Sequence, residues 1–190
     1  MPIPAWTQGG FLPPFVGATG ADAKGRAPFL TSASEIISRF ATSPQRIKIL
    51  KGWLNYRDAL LKAGIQGGFQ WINGSFVEDC EKLRTRPPAD IDVITFAEFT
   101  KGVAGELELL QKHIDLIDIK KLKANYHCDG YIVALHKDGA TLIERAAYWY
   151  GLFSHQRTTA IWKGLLRVDI LSDDAVALNL LNQEEAKYAP

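Results

Sequence analysis

The segment Gly68-Phe69-Gln70-Trp71-Ile72-Asn73-Gly74-Ser75, with Asp90-Ile91-Asp92-Val93-Ile94-Thr95-Phe96 a short way downstream, decides the fold. Gly68 to Ile72 is apolar-aromatic and bounded by glycines, which suits a buried strand better than a helix. Gly74-Ser75 then opens a helix predicted over 76–83, and Arg84 to Pro88 form a loop. Residues 90–96 alternate polar with apolar side chains, as a strand does. A strand-helix-strand unit of this kind organises a small α/β domain.

Chemistry concentrates at the two joints of this unit. Asp90 and Asp92, two apart in a strand, project from one face with Cα atoms roughly 7 Å apart. Two carboxylates so disposed repel each other unless a divalent ion or a cationic partner lies between them. Mg²⁺ takes one or two carboxylates together with phosphate oxygens and water. Gly74-Ser75 suits an anion, because glycine lets the backbone approach a phosphate, first-turn N–H groups point at it, and the hydroxyl adds a donor. Each half also has an ordinary structural reading. Asp-Ile-Asp-Val arises on any half-exposed strand, a Gly-Ser pair caps helices, and Asp90 and Asp92 can close a salt-bridge network with Arg84 and Arg86.

Upstream, Ser32-Ala33-Ser34-Glu35 forms a capping box for a short helix running to about Phe40. Ser43-Pro44 starts a second helix, in which Ile47, Leu50, Trp53, Leu54, Leu60 and Leu61 recur at helical spacing until Gly64 ends it. The first thirty residues hold Pro2, Pro4, Pro13, Pro14 and five glycines among Trp6, Phe11, Leu12, Phe15 and Phe29, the composition of an irregular arm packed down by aromatics. Downstream, helices over 99–112 and 115–124 lead to a strand from Cys128 to Leu135 and a turn at Lys137-Asp138-Gly139. A helix over 141–153, a strand over 162–171, and a final helix capped by Ser172 and running toward Tyr188 complete the chain. The expected architecture is α/β, with a small mixed β-sheet flanked by helices and an N-terminal helical arm. Residues 1–30 form the irregular arm, packed on a single domain spanning 31–190.

Composition narrows the function classes. The chain has 190 residues, 47% of them hydrophobic, which excludes disorder as the general state. Lys and Arg total 22 against 21 Asp and Glu, so there is no global basic field and partners must be read from local sites. Cys80 and Cys128 are too few for a disulfide scaffold or a four-thiolate zinc site and read as free thiols of a reducing compartment. The first ten residues carry no charged leader pattern, and no run of about 18 apolar residues occurs, so a soluble cytoplasmic protein without a membrane is expected. Asn73-Gly74-Ser75 matches a glycosylation sequon, which carries no weight without a secretion signal.

Taken jointly, strand, Gly74-Ser75, helix, loop and Asp90-Ile91-Asp92-Val93 resemble the signature of the nucleotidyltransferase superfamily of polymerase-beta-like enzymes. Gly74-Ser75-Phe76-Val77-Glu78-Asp79 with Arg86-Pro87-Pro88-Ala89-Asp90-Ile91-Asp92-Val93 is similar to a prokaryotic family carrying a nucleotidyltransferase-like motif. Phe11-Leu12-Pro13-Pro14, Phe153-Ser154-His155-Gln156-Arg157 and Lys163-Gly164 extend the likeness over most of the chain. The resemblance implies a nucleotidyltransferase-type sheet, with Gly74 and Ser75 holding nucleotide phosphates and Asp90 and Asp92 holding two Mg²⁺ or Mn²⁺ ions. It further implies transfer of a nucleoside monophosphate from a nucleoside triphosphate to a protein or nucleic-acid hydroxyl. The small members that the chain resembles serve as antitoxins or in phage defence, with a protein partner or an RNA acceptor. The fourteen residues between Ser75 and Asp90 exceed the gap of those small members, which equally suits a degenerate module that binds a partner or nucleotide without turnover.

The superfamily adds a third carboxylate on a neighbouring strand. Asp129, at the start of the strand that follows the dyad after one helical excursion, is preferred, with Asp169 the alternative. Arg84, Arg86, Arg157 and Lys163 are candidate cations for a triphosphate, Arg86, Arg157 and Lys163 foremost. Ser154-His155 and His127-Cys128 do not read as nucleophile pairs or metal ligands, since adjacent residues on a helix diverge by about 100°. His155 stays a candidate substrate contact. Tyr148-Trp149-Tyr150 reads as a core-facing helix stripe rather than a base-stacking platform, and Lys120-Lys121-Leu122-Lys123 as a solvated helix face.

Overall fold

A computed structural model describes residues 3–17, 22–157 and 159–188. Pro2 and Gly20 of the expected arm and the last two residues of the expected domain lie outside them. Five strands, β1 (Phe29–Thr31), β2 (Ile65–Asn73), β3 (Ile91–Phe99), β4 (Cys128–Ala134) and β5 (Leu166–Asp169), form one mixed sheet in the order β1-β5-β2-β3-β4. Its helices are α1 (Ala33–Phe40), α2 (Pro44–Lys62), α3 (Cys80–Arg84), α4 (Val103–Lys112), α5 (Ile119–Tyr126), α6 (Gly139–Phe153) and α7 (Asp174–Ala186). The α/β architecture expected from the sequence is therefore present. Among the described residues no helix is long and apolar enough to cross a membrane.

Local chemistry starts the first helices where the sequence reading starts them. Ser32 Oγ accepts from the Glu35 N–H and the Glu35 carboxylate accepts from the Ser32 N–H, a complete capping box for α1. Ser43 caps α2 with Pro44 in its first turn, and Gly64, at φ +95°, follows its end.

Alternation along the strands assigns the two faces of the sheet. Gln70 faces α2, where its Oε1 accepts from Trp53 Nε1 and Arg57 Nη1, both at 3.0 Å, and its amide donates to Thr95 Oγ1 at 3.1 Å. Trp71 and Asn73 face α6, with Trp71 against Tyr150 and the Asn73 amide donating to the Phe153 carbonyl. Tyr131 of β4 packs on Trp149 with ring centroids 4.6 Å apart. The aromatic run of α6 is thus mainly a packing stripe, although Tyr148 is exposed. Trp53, Tyr56, Phe40 and Phe76 are fully buried, each worth about 1.5–3 kcal/mol of burial.

Four details differ from the sequence expectation. The helix over 76–83 is broken into a 3-10 turn at Ser75–Val77, an extended Glu78 and α3. Arg46 takes the carbonyls of Phe76 and Glu78, at 2.6 and 2.7 Å, which a continuous helix would have used itself. The last strand covers only Leu166–Asp169, because Lys163 turns into the interior and the Gly164 N–H is drawn to the Leu12 carbonyl at 2.8 Å. Phe29–Thr31, read as part of an irregular arm, is a sheet strand parallel to β5. Ser172 caps α1 rather than α7. Its Oγ accepts from the Ala33 N–H at 3.2 Å, and the neighbouring Asp173 carboxylate accepts from the Ser34 N–H and hydroxyl. Burial opposes ionisation of Asp173, but these Ser34 hydrogen bonds prevail and hold its pKa at about 2.

Candidate functional site

Sheet register brings the acidic residues together. Asn73 of β2 stands opposite Asp92 of β3, and Asp92 is opposite Asp129 of β4, with Asp90 one step before β3 begins. Around them opens a cavity of about 600 Å³, in the range of small-molecule sites. Of the residues singled out from sequence, Gly74, Ser75, Arg84, Arg86, Asp90, Asp92, Asp129, His155, Arg157 and Lys163 line it, and Asp169 does not. Its opposite wall is the end of α6 and the loop after it, including His155 and Gln156.

The register also decides between the two candidates for the third carboxylate. Asp169 pairs with Phe69, four residues along β2 from Asn73, so it lies about 13 Å down the strand from the Asp92 level. It is exposed and ion-paired with Arg167 at 3.4 Å. Asp129 is the carboxylate at the site.

Gly74 is required by its geometry. Its φ of +80° and ψ of −164° belong to a region essentially reserved for glycine, and an added Cβ would lie 2.4 Å from Asp92 Oδ2. Gly74→Ala is therefore expected to cost about 1–3 kcal/mol from the backbone alone and to displace Asp92. A thermal melt checks this, and a variant as stable as the wild type would mean that the backbone relaxes freely. Ser75 opens a 3-10 turn of three residues instead of a helix, so the helix-dipole argument for a phosphate at this point does not apply. What remains is a glycine against which Asp92 packs and a partly exposed serine.

The cations divide into spent and available ones. Lys163, 5% exposed, donates to Glu78 Oε1 at 2.8 Å and to the Gly74 carbonyl at 3.2 Å. Glu78 is itself 2% exposed and also holds Arg84, so Lys163 and Arg84 are both engaged. Arg86 and Arg157 are exposed on the rim and form no ion pair among the described residues. A network of Asp90 and Asp92 with Arg84 and Arg86 does not form. Lys123, in the last turn of α5, takes that role, its Nζ 3.1 Å from Asp90 Oδ2 and 2.7 Å from Asp129 Oδ2. Its hydrogen bonds to Asp129 and then to Asp90 raise the Lys123 pKa above its usual value, against the opposing effect of burial.

Two observations bear on a metal. Asp129 Oδ1 is buried and has no hydrogen-bond partner among the described residues. Burial, then the charges of Asp90 and Asp129, push the Asp92 carboxyl from its ordinary 3.8 to about 6, against Lys163 and Arg157. An orphaned carboxylate oxygen next to an under-neutralised carboxylate is a donor set that suits a hard divalent cation. Among the described residues no three His, Cys, Asp or Glu side chains are grouped so as to share one ion. The fit is for a pair of carboxylates completed by ligands from outside the chain.

His155, a candidate substrate contact, lines the cavity, whereas neither Ser154 nor Cys128 is set up as a nucleophile. Ser154 Oγ and His155 Nδ1 do meet, at 3.1 Å, because both residues lie beyond the end of α6. Yet Nδ1 is also 3.1 Å from the Gly151 carbonyl, which only accepts, so Nδ1 carries the proton and cannot draw one from the serine. Burial, followed by Asp90 and Asp129, pushes the Cys128 thiol far up, which keeps it protonated.

The sequence reading missed Lys123, Glu78, Asn73 and the buried Arg46. Lys123 was legible only as a lysine in the turn preceding the third carboxylate, hidden within a basic run that resembled a solvated face. Fold and site together define an α/β domain with an acidic cleft rimmed by arginines. Residues 4–169 match the family described as a family of unknown function (DUF6932), and the chain belongs to that family. No curated protein and no solved structure matches the chain.

Proposed function

We propose that the chain is a metal-dependent nucleotidyltransferase, which moves a nucleoside monophosphate from a nucleoside triphosphate to a hydroxyl of a protein or nucleic acid. The observation that carries this reading is the abutment of Asp92 and Asp129 on the wall of a cavity shared with Gly74, Ser75, Arg86 and Arg157. Asp92 and Asp129, with Asp90 beside them, would hold Mg²⁺ or Mn²⁺. When bound, such an ion neutralises phosphate charge and acidifies a coordinated hydroxyl. The chain's own groups do the rest. Arg86 and Arg157 present planar guanidinium groups that bind phosphate oxygens in a bidentate manner. Glycine at position 74 lets the Asp92 carboxylate lie directly against the backbone, and Ser75 adds a hydroxyl donor. The antitoxin or phage-defence setting, with its protein partner or RNA acceptor, rests on the resemblance alone.

One observation favours a second reading, a module that binds a partner or nucleotide without turnover. Lys123 already bridges two of the carboxylates, and Lys163 is committed to Glu78. A thermal-shift titration with the four common nucleoside triphosphates, with and without Mg²⁺, separates the two. For the enzyme, nucleotide at about a hundred times its Kd stabilises by about 2.7 kcal/mol, and both Mg²⁺ and the aspartates are required. Asp92→Asn would abolish the shift. Absence of any shift in the wild-type chain moves the assignment to the binding module.

A further inference from the structure

Lys123 stands between two carboxylates of the cleft. Its ammonium bridges Asp90 Oδ2 at 3.1 Å and Asp129 Oδ2 at 2.7 Å, the two outer carboxylates of the cleft. The oxygen of Asp129 that Lys123 does not reach, Oδ1, is buried and unpartnered among the described residues. It belongs to the residue in direct register with Asp92. The cleft thus offers two different kinds of acceptor, one already satisfied by an ammonium and one left open.

The lysine is anchored from below. Leu122, next to it, is fully buried, and α5 packs so closely on α2 that a Cβ on Gly52 would lie 2.2 Å from the Tyr126 carbonyl oxygen. The helix end that carries Lys123 is therefore fixed against the core, and only its four-carbon stem is free to move. Charge balance agrees with one ion. Asp90, Asp92 and Asp129 carry three negative charges, which one divalent ion and one ammonium neutralise together. A second divalent ion with the lysine still in position would leave an excess of two positive charges in a partly enclosed cleft.

Resting on the metal-dependent reading above, we infer that Lys123 substitutes for one of two cations. The chain binds a single divalent ion, through Asp92 and Asp129 Oδ1, while Lys123 permanently holds Asp90 and Asp129 Oδ2. Lys123 is then a positioning residue, which fixes Asp129 so that its free oxygen faces Asp92.

The test is a count of Mn²⁺ bound by the full chain, from the electron paramagnetic resonance signal of the free ion. The wild type is expected to take up one equivalent, Lys123→Arg one equivalent, and Lys123→Met a second equivalent at the vacated carboxylates. The metal-free melting temperature of Lys123→Met should fall, and Mn²⁺ should restore it. Two equivalents in the wild type, or an unchanged single equivalent and affinity in Lys123→Met, overturns the inference and leaves the metal-dependent reading standing. No Mn²⁺ uptake by any of these proteins, or uptake by Asp92→Asn equal to that of the wild type, overturns that reading as well.

Discussion

Arg46→Ala is expected to lower stability by about 3–5 kcal/mol, a fall in Tm of about 6–20 °C for a chain of this size. Arg46 is wholly buried, and its Nε, Nη1 and Nη2 all donate hydrogen bonds. Its Nε and Nη2 reach the two oxygens of Glu81 at 2.7 and 2.9 Å, and its Nη1 and Nη2 reach the Phe76 and Glu78 carbonyls. The guanidinium also lies over the Phe76 ring at 5.3 Å. Alanine would leave two buried carbonyls unpaired, a carboxylate without its partner, and a cavity. Lysine is no substitute, since one ammonium cannot reach acceptors arranged around a planar fork. Arg46→Lys should recover only part of the loss. Because those carbonyls hold the segment just after Gly74-Ser75, the nucleotide binding proposed above should weaken in both variants even below their melting points. Denaturant midpoints measure the stability term, and a loss under about 1 kcal/mol in Arg46→Ala would show that the pairing is not needed.

Asp92→Asn should do two opposite things. On the function proposed above, it should abolish nucleotidyl transfer, because it removes the carboxylate charge abutting Asp129. It should also stabilise the metal-free protein, and the sign follows from the titration. The folded chain holds a proton on Asp92 up to about pH 6, whereas an unfolded chain releases it near 3.8. The folded state thus binds more protons between those values, and stability is lost as pH rises through that window. Above it, the ionised carboxyl costs about 3 kcal/mol, which asparagine avoids. In the presence of a chelator, the variant should melt about 6–12 °C above the wild type at pH 8 and level with it near pH 3.5. A gain that is the same at both pH values would mean that the stabilisation does not come from removing a charge.

The segments legible from sequence were those whose local chemistry agrees with their tertiary role. Ser32 and Glu35 cap their own helix, so the box could be read directly. Asp90 and Asp92 alternate with residues that are buried in the sheet, so period and location coincided. Gly74 and Ser75 were legible as a glycine-serine turn after a strand and Asp129 as the third carboxylate that the resemblance implies, and all three line the cleft. The unreadable parts are those in which a side chain serves a distant segment. Glu78 breaks an otherwise regular helical pattern because Lys163, 85 positions later, and Arg84 neutralise it in the interior. Ser172 has the composition of a cap, but the helix it caps lies 139 positions earlier. Lys123 reads as solvated because it is half-exposed, and its two carboxylate partners lie on other elements. Asp90 for Lys123, Lys163 for Glu78 and Ala33 for Ser172 lie outside any local window, so periodicity and propensity are silent about them.

Arg57 gives the last helix a meaning beyond packing. This buried guanidinium lies under the sheet, and its Nε and Nη2 contact Asp174 at 2.7 and 2.9 Å. Nη2 also donates to the carbonyls of Asp169 and Ile170. The family match ends at residue 169, so the cation is inherited inside the shared segment while its anion is supplied from outside it. A boundary drawn by sequence likeness therefore severs a single electrostatic unit. Trimming the chain to its recognisable portion would leave Arg57, beneath β2, with Gln70 and the Asp169 carbonyl but without its carboxylate. A piece cut at that boundary is expected to melt below the full chain.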